Sequence, residues 1–339
     1  MKRDGGQGRY DSVQILGTGY ARPDRVLFNA DLVKMVNTTD EWIVTRTGIC
    51  QRRIVGKDVA TSDIALEASR AALARSGMDP EDLELIIVGT VTPDMLTPST
   101  ACFLQERLGA RNAAAFDLSA GCTGFIYSMV VAQNFLLAGS TRNALVVGAE
   151  TLSKVTDWTD RNTCVIFADG AGAMVLGKGS GPRGILSSYL GADGTGSSLI
   201  TIPGGGSRIP ASSDSIAEHQ HFIKMQGQEV FKFAVKAVPE CALRVLKEAA
   251  LSIDDVDHVV FHQANIRIIE SAAKRLKVPM EKVLSNIQET GNTSAASIPL
   301  LIAQEEEAGT IKPGEIVLMV GFGAGLTTGA VLVRWGHSE

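Results

Sequence analysis

The chain has 339 residues, of which 45% are hydrophobic and 20% are charged, and its net charge is −5. This composition predicts a folded protein with a large core and excludes a mostly disordered chain. The acidic balance argues against a nucleic-acid-binding protein, since phosphate binding needs a basic surface, and no apolar run reaches the roughly 18 residues of a membrane span.

The first ten residues, MKRDGGQGRY, are charged and contain no apolar segment, so we predict no secretory signal. The five cysteines are an odd number and lack the spacing of a disulfide framework: Cys50, Cys102, Cys122, Cys164 and Cys241. Both observations favour a cytoplasmic protein with free thiols.

Strand and helix patterns alternate along the chain. Val13–Gly17 predicts a strand that ends at a glycine turn, and Ser62–Ser76 predicts a helix that stops at Gly77. Four continuous apolar runs are typical of strands in a sheet that is covered on both faces: Leu85–Val88, Ala144–Val147, Val259–Phe261 and Ile316–Val320. The spacing between these runs fits βα units and predicts an α/β fold.

An internal repeat relates the two halves of the chain. The first two matching pairs are offset by 173 residues (255 − 82 and 320 − 147) and the third by 157 (329 − 172): Asp82–Val88 with Asp255–Phe261, Val147–Gly148 with Val320–Gly321, and Gly172–Leu176 with Gly329–Val333. The offset is smaller for the third pair because the first half has an extra segment before it, about Thr151–Asn162. We therefore predict a duplication, with one half over residues 1–180, the other over 181–339, and a junction near Gly177–Gly184.

Cys122 lies in the run FDLSAGCTGF, where an apolar strand ends, a glycine turn follows and a helix begins. A helix N-terminus stabilises a thiolate through its dipole and its free N–H groups. The neighbouring Gly121 and Gly124 permit a sharp turn and the close approach of a ligand. Cys122 is therefore a candidate nucleophile, with a buried structural cysteine as the alternative. The other four cysteines are predicted to be structural.

Three more segments are candidates for chemistry. His262 follows the apolar strand 259–261, at the end where doubly wound sheets bind ligands, so it is a candidate acid, base or hydrogen-bond donor, or else a packed histidine. Asn292 lies in the run GNTSAAS, which by itself an ordinary turn explains. Gly321–Gly325 follows a predicted strand, and glycines there expose N–H groups that can bind phosphate or an oxyanion.

Basic residues are few but patterned. Arg267, Lys274 and Arg275 share one face of a predicted helix, which is either solvated or a docking patch for an acidic partner. No group of His, Cys, Asp and Glu has the spacing of a metal site, so no metal is expected.

From about Val13 to Trp335 the chain resembles β-ketoacyl-[acyl-carrier-protein] synthase III, the initiating condensing enzyme of bacterial type II fatty-acid synthesis. Five motifs together make the resemblance specific: Thr39–Ile49, Ala120–Phe125, Ile166–Gly172, His262–Arg267 and Gly291–Ser297. The resemblance implies the thiolase fold, in which two duplicated α/β halves form a five-layer αβαβα arrangement, normally as a homodimer. It also implies no resident cofactor. The implied substrates are an acyl-CoA, acetyl-CoA by default, and malonyl-[acyl-carrier protein].

By the resemblance, Cys122 accepts the acyl group in a ping-pong Claisen condensation. His262 and Asn292 then hydrogen-bond the malonyl thioester oxygen while carbon dioxide leaves and enolate charge develops. The backbone N–H groups of Cys122 and Ala324 form the oxyanion hole for acyl transfer. Phe322 matches an aromatic residue that lines the malonyl site.

The resemblance also implies binding surfaces. Trp42 and Arg161 match the pair that sandwiches the adenine of CoA, because an indole and a guanidinium can both stack on a base. Eight residues match the docking site for the acidic acyl carrier protein: Lys232, Gln263, Ala264, Asn265, Ile266, Arg267, Lys274 and Arg275. Thr97 departs from the family, where many members have Phe at a position that closes the partner subunit's acyl pocket. The smaller Thr is expected to admit longer primers.

Other functions are less consistent with the residues. A degradative thiolase has a second reactive cysteine in its C-terminal glycine loop, and Gly321–Gly325 has none. Elongating synthases use two histidines with the cysteine, whereas the third member here is Asn292. A Cys–His–Asn hydrolase of the papain type does not fit two strand-rich duplicated halves, and a non-catalytic scaffold would lack Cys122. A CoA-primed condensing enzyme of secondary metabolism keeps the same triad and stays open as the alternative.

Overall fold

The computed structural model describes residues 12–337, so the prediction about the first residues of the chain lies outside the described range. The helices are α1 Asn29–Leu32, α2 Asp40–Thr47, α3 Thr61–Ser76, α4 Thr100–Leu108, α5 Gly124–Leu137, α6 Arg161–Cys164, α7 Ser213–Ala217, α8 Gly227–Glu248, α9 Ile266–Leu276, α10 Ile287–Thr290 and α11 Ser297–Glu307. Between residues 12 and 337 no helix is both long and apolar enough to cross a membrane.

The strands of the first half are β1 Ser12–Ala21, β2 Val26–Phe28, β3 Gln51–Arg53, β4 Leu85–Gly89, β5 Ala114–Leu118, β6 Asn143–Thr151 and β7 Asp169–Gly179. Those of the second half are β8 Gly184–Ala192, β9 Ile200–Thr201, β10 Lys224–Met225, β11 His258–Phe261, β12 Val283–Leu284, β13 Ile316–Gly323 and β14 Thr327–Arg334. The four apolar runs predicted as buried strands are β4, β6, β11 and β13, so these predictions are confirmed.

Two five-stranded sheets have the same topology. The first has the order β1-β7-β6-β4-β5 and the second the order β8-β14-β13-β11-β12. In each sheet the first two neighbouring pairs are antiparallel and the last two are parallel. The predicted duplication of an α/β unit is confirmed. The predicted boundary after residue 180 falls between β7 and β8, and the division into two domains stays a prediction.

Helices and sheets alternate in five layers, as predicted. Helices α3 and α4 pack on the outer face of the first sheet, and α8 and α9 on the outer face of the second. Helices α5 and α11 lie between the two sheets in a core to which both halves contribute. Both sheets are therefore covered on both faces, which explains why their central strands are continuously apolar.

Helix α3 shows how local signals set an element. The Asp63 carboxylate accepts the Ala60 N–H at 2.7 Å and so satisfies a donor at the helix N-terminus. The helix ends at Gly77, which has a φ of 67°, a left-handed conformation that glycine adopts without steric cost. The prediction for this helix is confirmed, with its start one residue earlier, at Thr61.

The predicted glycine turn at the end of the first strand is wrong. Strand β1 continues through Gly17 to Ala21. A Cβ atom on Gly17 would lie 2.6 Å from the Ala72 oxygen and 2.6 Å from the Ser76 nitrogen, both in α3. This glycine therefore allows a helix to pack closely on the strand and does not reverse the chain.

Two further predictions around the duplicated strands are corrected. Strand β13 does not stop at Val320 but runs through the first glycines to Gly323, pairs with β14, and leaves only residues 324–326 for the turn. In the first half the equivalent strands β6 and β7 are joined by residues 152–168, so the extra segment extends six residues beyond the predicted Asn162. Backbone hydrogen bonds to neighbouring strands extend each strand beyond the apolar residues from which it was predicted.

Candidate active site

Cys122 lies in a short turn, Gly121–Thr123, between the end of β5 and the start of α5. This turn contacts the turn after β13 at very short range. A Cβ atom on Gly323 would lie 2.5 Å from the Cys122 nitrogen, and one on Gly121 would lie 2.7 Å from the Ala324 nitrogen. Only glycines permit this approach. The backbone nitrogens of Cys122 and Ala324 therefore lie in facing turns, one from each half of the chain.

The environment of the thiol differs from the expected one. The pKa of the Cys122 thiol is raised to about 12, chiefly by burial and also by the charge of Glu150, against a lowering by the Ser294 side chain. Desolvation of the sulfur therefore opposes the thiolate stabilisation expected at a helix N-terminus and favours the thiol form.

His262 directly follows β11, and its backbone N–H donates to the Val320 oxygen on β13 at 2.8 Å. The side chain is 1% exposed, and burial lowers the pKa of the imidazole to about 3, so the ring is neutral. The ring nitrogen Nδ1 lies 2.7 Å from the Ser297 Oγ. The edge of the ring meets Phe322, with ring centroids 5.4 Å apart. Phe322 is thus placed beside the histidine.

Asn292 joins the two halves through its backbone. Its N–H donates to the Ile166 oxygen at 3.0 Å, and its carbonyl accepts the Ala168 N–H at 2.9 Å, both in the link between β6 and β7. The side-chain Oδ1 accepts the Ser294 N–H at 2.8 Å, which leaves the Nδ2 hydrogens to donate elsewhere. The residue is buried. Its position depends on the extra segment of the first half.

The segments that carry the three candidate catalytic residues pack together at the junction of the halves. The Gly121–Thr123 turn packs on the Ser294–Ala296 turn and on β13. Strand β13 carries Phe322, whose ring lies beside His262. Asn292 lies two residues before Ser294, the first residue of the Ser294–Ala296 turn. Each side chain comes from a separate segment, and the packing of the two halves on each other brings those segments together.

Trp42 and Arg161 are in direct contact. The Arg161 guanidinium lies 4.8 Å from the centre of the indole, and Arg46, one helical turn after Trp42 in α2, lies 5.3 Å from it. A base that is stacked on both groups needs about 7 Å between their planes, twice an ordinary contact distance. Arg161 must therefore move away from the indole before an adenine can enter between them.

Helices α8 and α9 present most of the predicted docking residues on one outer surface. Lys232, Arg267, Lys274 and Arg275 are exposed. Arg275 donates to the Val235 oxygen at 2.8 Å and so ties α9 to α8. Ala264, Asn265 and Ile266 are half-buried at the start of α9, and Asn265 caps that helix through the Arg267 N–H at 2.9 Å.

Gln263 was predicted to belong to the docking surface, and this prediction is wrong. Its side chain is 0% exposed. The amide donates to the Phe261 oxygen at 2.6 Å and accepts from the Ser285 hydroxyl at 2.7 Å. A side chain held in this way joins β11 to the segment after β12 and cannot contact a protein partner.

Thr97, the residue predicted to affect the acyl pocket, is exposed in the link between β4 and α4. The preceding residue, Leu96, is exposed as well.

Sequence reasoning missed four residues around these sites. Ser297 orients His262, Ser294 and Glu150 influence the thiol, and Arg46 stacks on Trp42. Ser294 and Ser297 both lie in the quoted run GNTSAAS, and Arg46 lies in the quoted run Thr39–Ile49, so motif membership was the available signal. For Glu150 the signal was a single carboxylate at the end of a continuously apolar strand.

Family models, related sequences and solved structures all match this chain to the same family. The family model described as 3-oxoacyl-[acyl-carrier-protein (ACP)] synthase III matches residues 116–194, and the model of its C-terminal part matches residues 246–335. The β-ketoacyl-[acyl-carrier-protein] synthase III of Syntrophomonas wolfei is 54% identical over 327 residues, which are 96% of this chain and 98% of that protein. The solved 3-oxoacyl-[acyl-carrier-protein] synthase III from Aquifex aeolicus is 43% identical, with a TM-score of 0.88, over 95% of this chain and 100% of that one. A priming β-ketosynthase from a polyketide biosynthetic pathway is 36% identical, with a TM-score of 0.89, over 96% of this chain and 97% of that one.

Proposed function

The chain belongs to the β-ketoacyl-[acyl-carrier-protein] synthase III family, and from that premise we propose that it is the acyltransferase of the initiating condensation in type II fatty-acid synthesis. The proposed substrates are an acyl-CoA and malonyl-[acyl-carrier protein], and the products are 3-oxoacyl-[acyl-carrier protein], CoA and carbon dioxide. The observation that supports this best is the close packing of the turn that contains Cys122 against the turn that contains Ala324. The reaction as proposed uses CoA thioesters as substrates and requires no resident cofactor.

In the first half-reaction, the Cys122 sulfur attacks the acyl carbonyl. A bond from Sγ to carbon forms, the bond from carbon to the CoA sulfur breaks, and the thiol proton ends on the CoA sulfur. The N–H groups of Cys122 and Ala324 stabilise the negative oxygen of the tetrahedral intermediate. Because the thiol has a raised pKa, attack and loss of the proton are coupled, and thiolate does not accumulate in the resting enzyme.

In the second half-reaction, malonyl-[acyl-carrier protein] loses carbon dioxide, and the resulting carbanion attacks the acyl group on Cys122. The new carbon–carbon bond forms as the bond to Sγ breaks, the sulfur leaves as a thiolate, and it takes up one proton from solvent to restore the thiol. His262 and Asn292 donate hydrogen bonds to the malonyl thioester oxygen as it becomes an enolate. Two neutral donors suit this role, since a fixed anion would repel the malonyl carboxylate.

The hydrogen bonds of the two donors support these roles. Ser297 Oγ accepts the Gln263 N–H at 3.4 Å and can donate its own proton to His262 Nδ1 at 2.7 Å. In that arrangement the ring proton is on Nε2, which becomes the donor toward the substrate. The Oδ1 atom of Asn292 is already occupied by the Ser294 N–H, so its Nδ2 group is the available donor.

Mass spectrometry tests this proposal directly. After incubation with acetyl-CoA, the peptide that contains Cys122 should gain 42 Da in roughly one copy per chain, and Cys122→Ala should remove the adduct. His262→Ala and Asn292→Ala should keep the adduct and lose release of carbon dioxide from malonyl-[acyl-carrier protein]. An adduct on another residue, or equal loss of both half-reactions in the two variants, would overturn the assignment.

We propose that the outer surface of α8 and α9 docks the acyl carrier protein. Lys232, which pairs with Glu229 at 2.7 Å, and Arg267 are exposed on neighbouring helices, and exposed basic side chains attract an acidic partner. The surface continues toward the proposed CoA site, because Asn265 Nδ2 donates to the Arg46 oxygen on α2 at 2.8 Å. One surface can thus present both thioester substrates to the same cysteine.

We propose that the protein works in the cytoplasm as a homodimer. The outer strand of the first sheet, β5, has half-buried and exposed residues, and the link between β4 and α4 carries exposed apolar side chains, with Leu96 84% exposed and Met95 48% exposed. An uncovered strand edge and exposed apolar side chains favour association with a second copy. The five cysteines are free, as in proteins of reducing compartments. Analytical ultracentrifugation at micromolar concentration tests the dimer, and a monomer mass would contradict it.

A CoA-primed condensing enzyme of secondary metabolism is the second candidate. It is favoured by the likeness to the polyketide priming synthase and by Thr97, a small exposed residue where many family members have Phe. A screen of acyl-CoA donors from two to about fourteen carbons separates the two candidates, because each added methylene that the pocket can bury contributes about 0.8 kcal/mol to binding. Preference for acetyl-CoA favours fatty-acid initiation, and preference for long donors favours the alternative.

A further inference from the structure

Glu150 is a buried carboxyl group for which the proposed mechanism has no use. It lies near the carboxyl end of β6 and is 0% exposed. It accepts hydrogen bonds from the Thr92 hydroxyl at 2.7 Å, the Thr90 hydroxyl at 3.2 Å and the Val91 N–H at 3.1 Å. Three donors fix the orientation of this group in the link that follows β4. Burial raises the pKa of the carboxyl to about 7.

The Glu150 side chain faces the Ser294–Ala296 turn. Alternate residues of a strand point to the same face, so Gly148 and Glu150 share one side of β6. A Cβ atom on Gly148 would lie 2.3 Å from the Ala295 oxygen, which shows that this side of the strand presses on the turn. The Ser294 side chain on this turn acts on both the Glu150 carboxyl and the Cys122 thiol, and it lowers the pKa of each.

Ser294 is held where it can link these two groups. Its N–H donates to Asn292 Oδ1 at 2.8 Å, and its φ is 48°, a left-handed conformation that costs a serine about 1 kcal/mol or more. The surrounding contacts therefore impose this backbone conformation. The hydroxyl has one proton, so it can donate to the carboxylate or to the sulfur, but not to both at once.

We propose that Glu150 is a positioning residue for the nucleophile, and that through the Ser294 hydroxyl its charge sets how readily the Cys122 thiol loses its proton. When Glu150 is ionised, the Ser294 proton is drawn to the carboxylate, and the sulfur loses a donor and faces a negative charge. When Glu150 is neutral, the Ser294 proton is available to the sulfur, and the nearby charge is gone. Cys122 is the titratable group whose pKa the Glu150 charge raises, and the groups that Glu150 contacts on the link after β4 are uncharged: two hydroxyls and an N–H group.

The inference rests on the proposed role of Cys122, but it can be tested without the condensation. Methyl methanethiosulfonate reacts with thiolates, and mass spectrometry of the Cys122 peptide separates this site from the exposed cysteines. We expect Glu150→Gln to react at the wild-type rate at pH 6 and about threefold faster at pH 9. A one-unit fall in the thiol pKa increases the thiolate about tenfold, while its lower basicity reduces its nucleophilicity about threefold.

Ser294→Ala should have the opposite effect. Without the hydroxyl the sulfur loses a donor, so the reaction should be about threefold slower at pH 6, where Glu150 is neutral, and closer to wild type at pH 9. Opposite directions in the two variants exclude a general loosening of the site, because loosening would expose the thiol in both. Asp169→Asn is the matched control: Asp169 is also a buried carboxyl with a raised pKa, but it bonds Ser153 and Val55, and its removal should not change the ratio of rates.

Two results would overturn the inference. One is a Glu150→Gln profile parallel to wild type from pH 6 to pH 9, and the other is a change of the same sign in both variants. If Glu150→Gln does not fold, Ser294→Ala alone decides, and an equal effect at both pH values refutes the link. Failure of acetyl-CoA to label Cys122 would refute the proposed function and leave these reactivity profiles in place.

Discussion

Replacing Gly323 with alanine should separate the two turns that hold the proposed oxyanion hole. The new Cβ would lie 2.5 Å from the Cys122 nitrogen and 3.0 Å from the Cys122 Cβ, where about 3.5 Å is normal. The neighbouring atoms are backbone and a Cβ, so no flexible side chain can give way, and the turns must move apart by about 1 Å. A misplacement of that size costs about 100-fold in rate, and overpacking costs about 1 to 3 kcal/mol of unfolding free energy.

Rapid-quench measurement of Cys122 acylation by acetyl-CoA tests this prediction, with urea unfolding measured in parallel. Gly321→Ala is the matched control, because it lies two residues earlier on β13, and its Cβ would meet Thr123 at 3.4 Å, an ordinary contact. We expect the control to acylate within about threefold of the wild type. If Gly323→Ala is folded and acylates as fast as Gly321→Ala, the close approach of the turns does not position the reacting groups.

Three other perturbations follow from individual contacts. Ser297→Ala should slow release of carbon dioxide about tenfold in single-turnover assays and spare acylation, because His262 loses the partner of Nδ1; an equal loss in both steps would contradict this. Arg267→Glu should raise the KM for malonyl-[acyl-carrier protein] about tenfold and leave that for acyl-CoA unchanged, whereas Lys247→Glu at the far end of α8 should change neither. The pKa of Glu150 is raised from 4.5 to about 7, so its contribution to folding is complete below pH 4.5 and is lost as the pH rises through 7. Urea unfolding should therefore show Glu150→Gln gaining up to about 3 kcal/mol on the wild type between pH 4.5 and 8, and a constant difference would refute this.

Local patterns predicted the central elements well. The apolar runs at Leu85–Val88 and Val259–Phe261 are strands because both faces of each sheet are covered, so nearly every residue must be apolar. Helix α3 ends at Gly77 because a left-handed residue is needed there. Cys122 lies at the start of a helix, as its glycine-flanked motif indicates. These features depend on neighbours within a few residues along the chain.

Contacts between distant segments explain the errors. Gly17 has the signature of a turn but lies within a strand, because a helix some 55 residues later packs on it. Gln263 is polar and lies in a motif linked to docking, yet its hydrogen bonds are all internal. A polar side chain that is buried and fully paired has the same letter in the sequence as one that is exposed.

The amino-acid sequence by itself determined the α/β class and the internal duplication and predicted the nucleophile, since periodicity, repeat and motif are properties of consecutive residues. Only the tertiary structure decided the protonation of that nucleophile and the residues that control it. The pKa of Cys122 depends on burial and on Ser294 and Glu150, which lie 172 and 28 residues away along the chain. Desolvation and electrostatic interaction depend on distance through space, and the packing of the two sheets sets that distance.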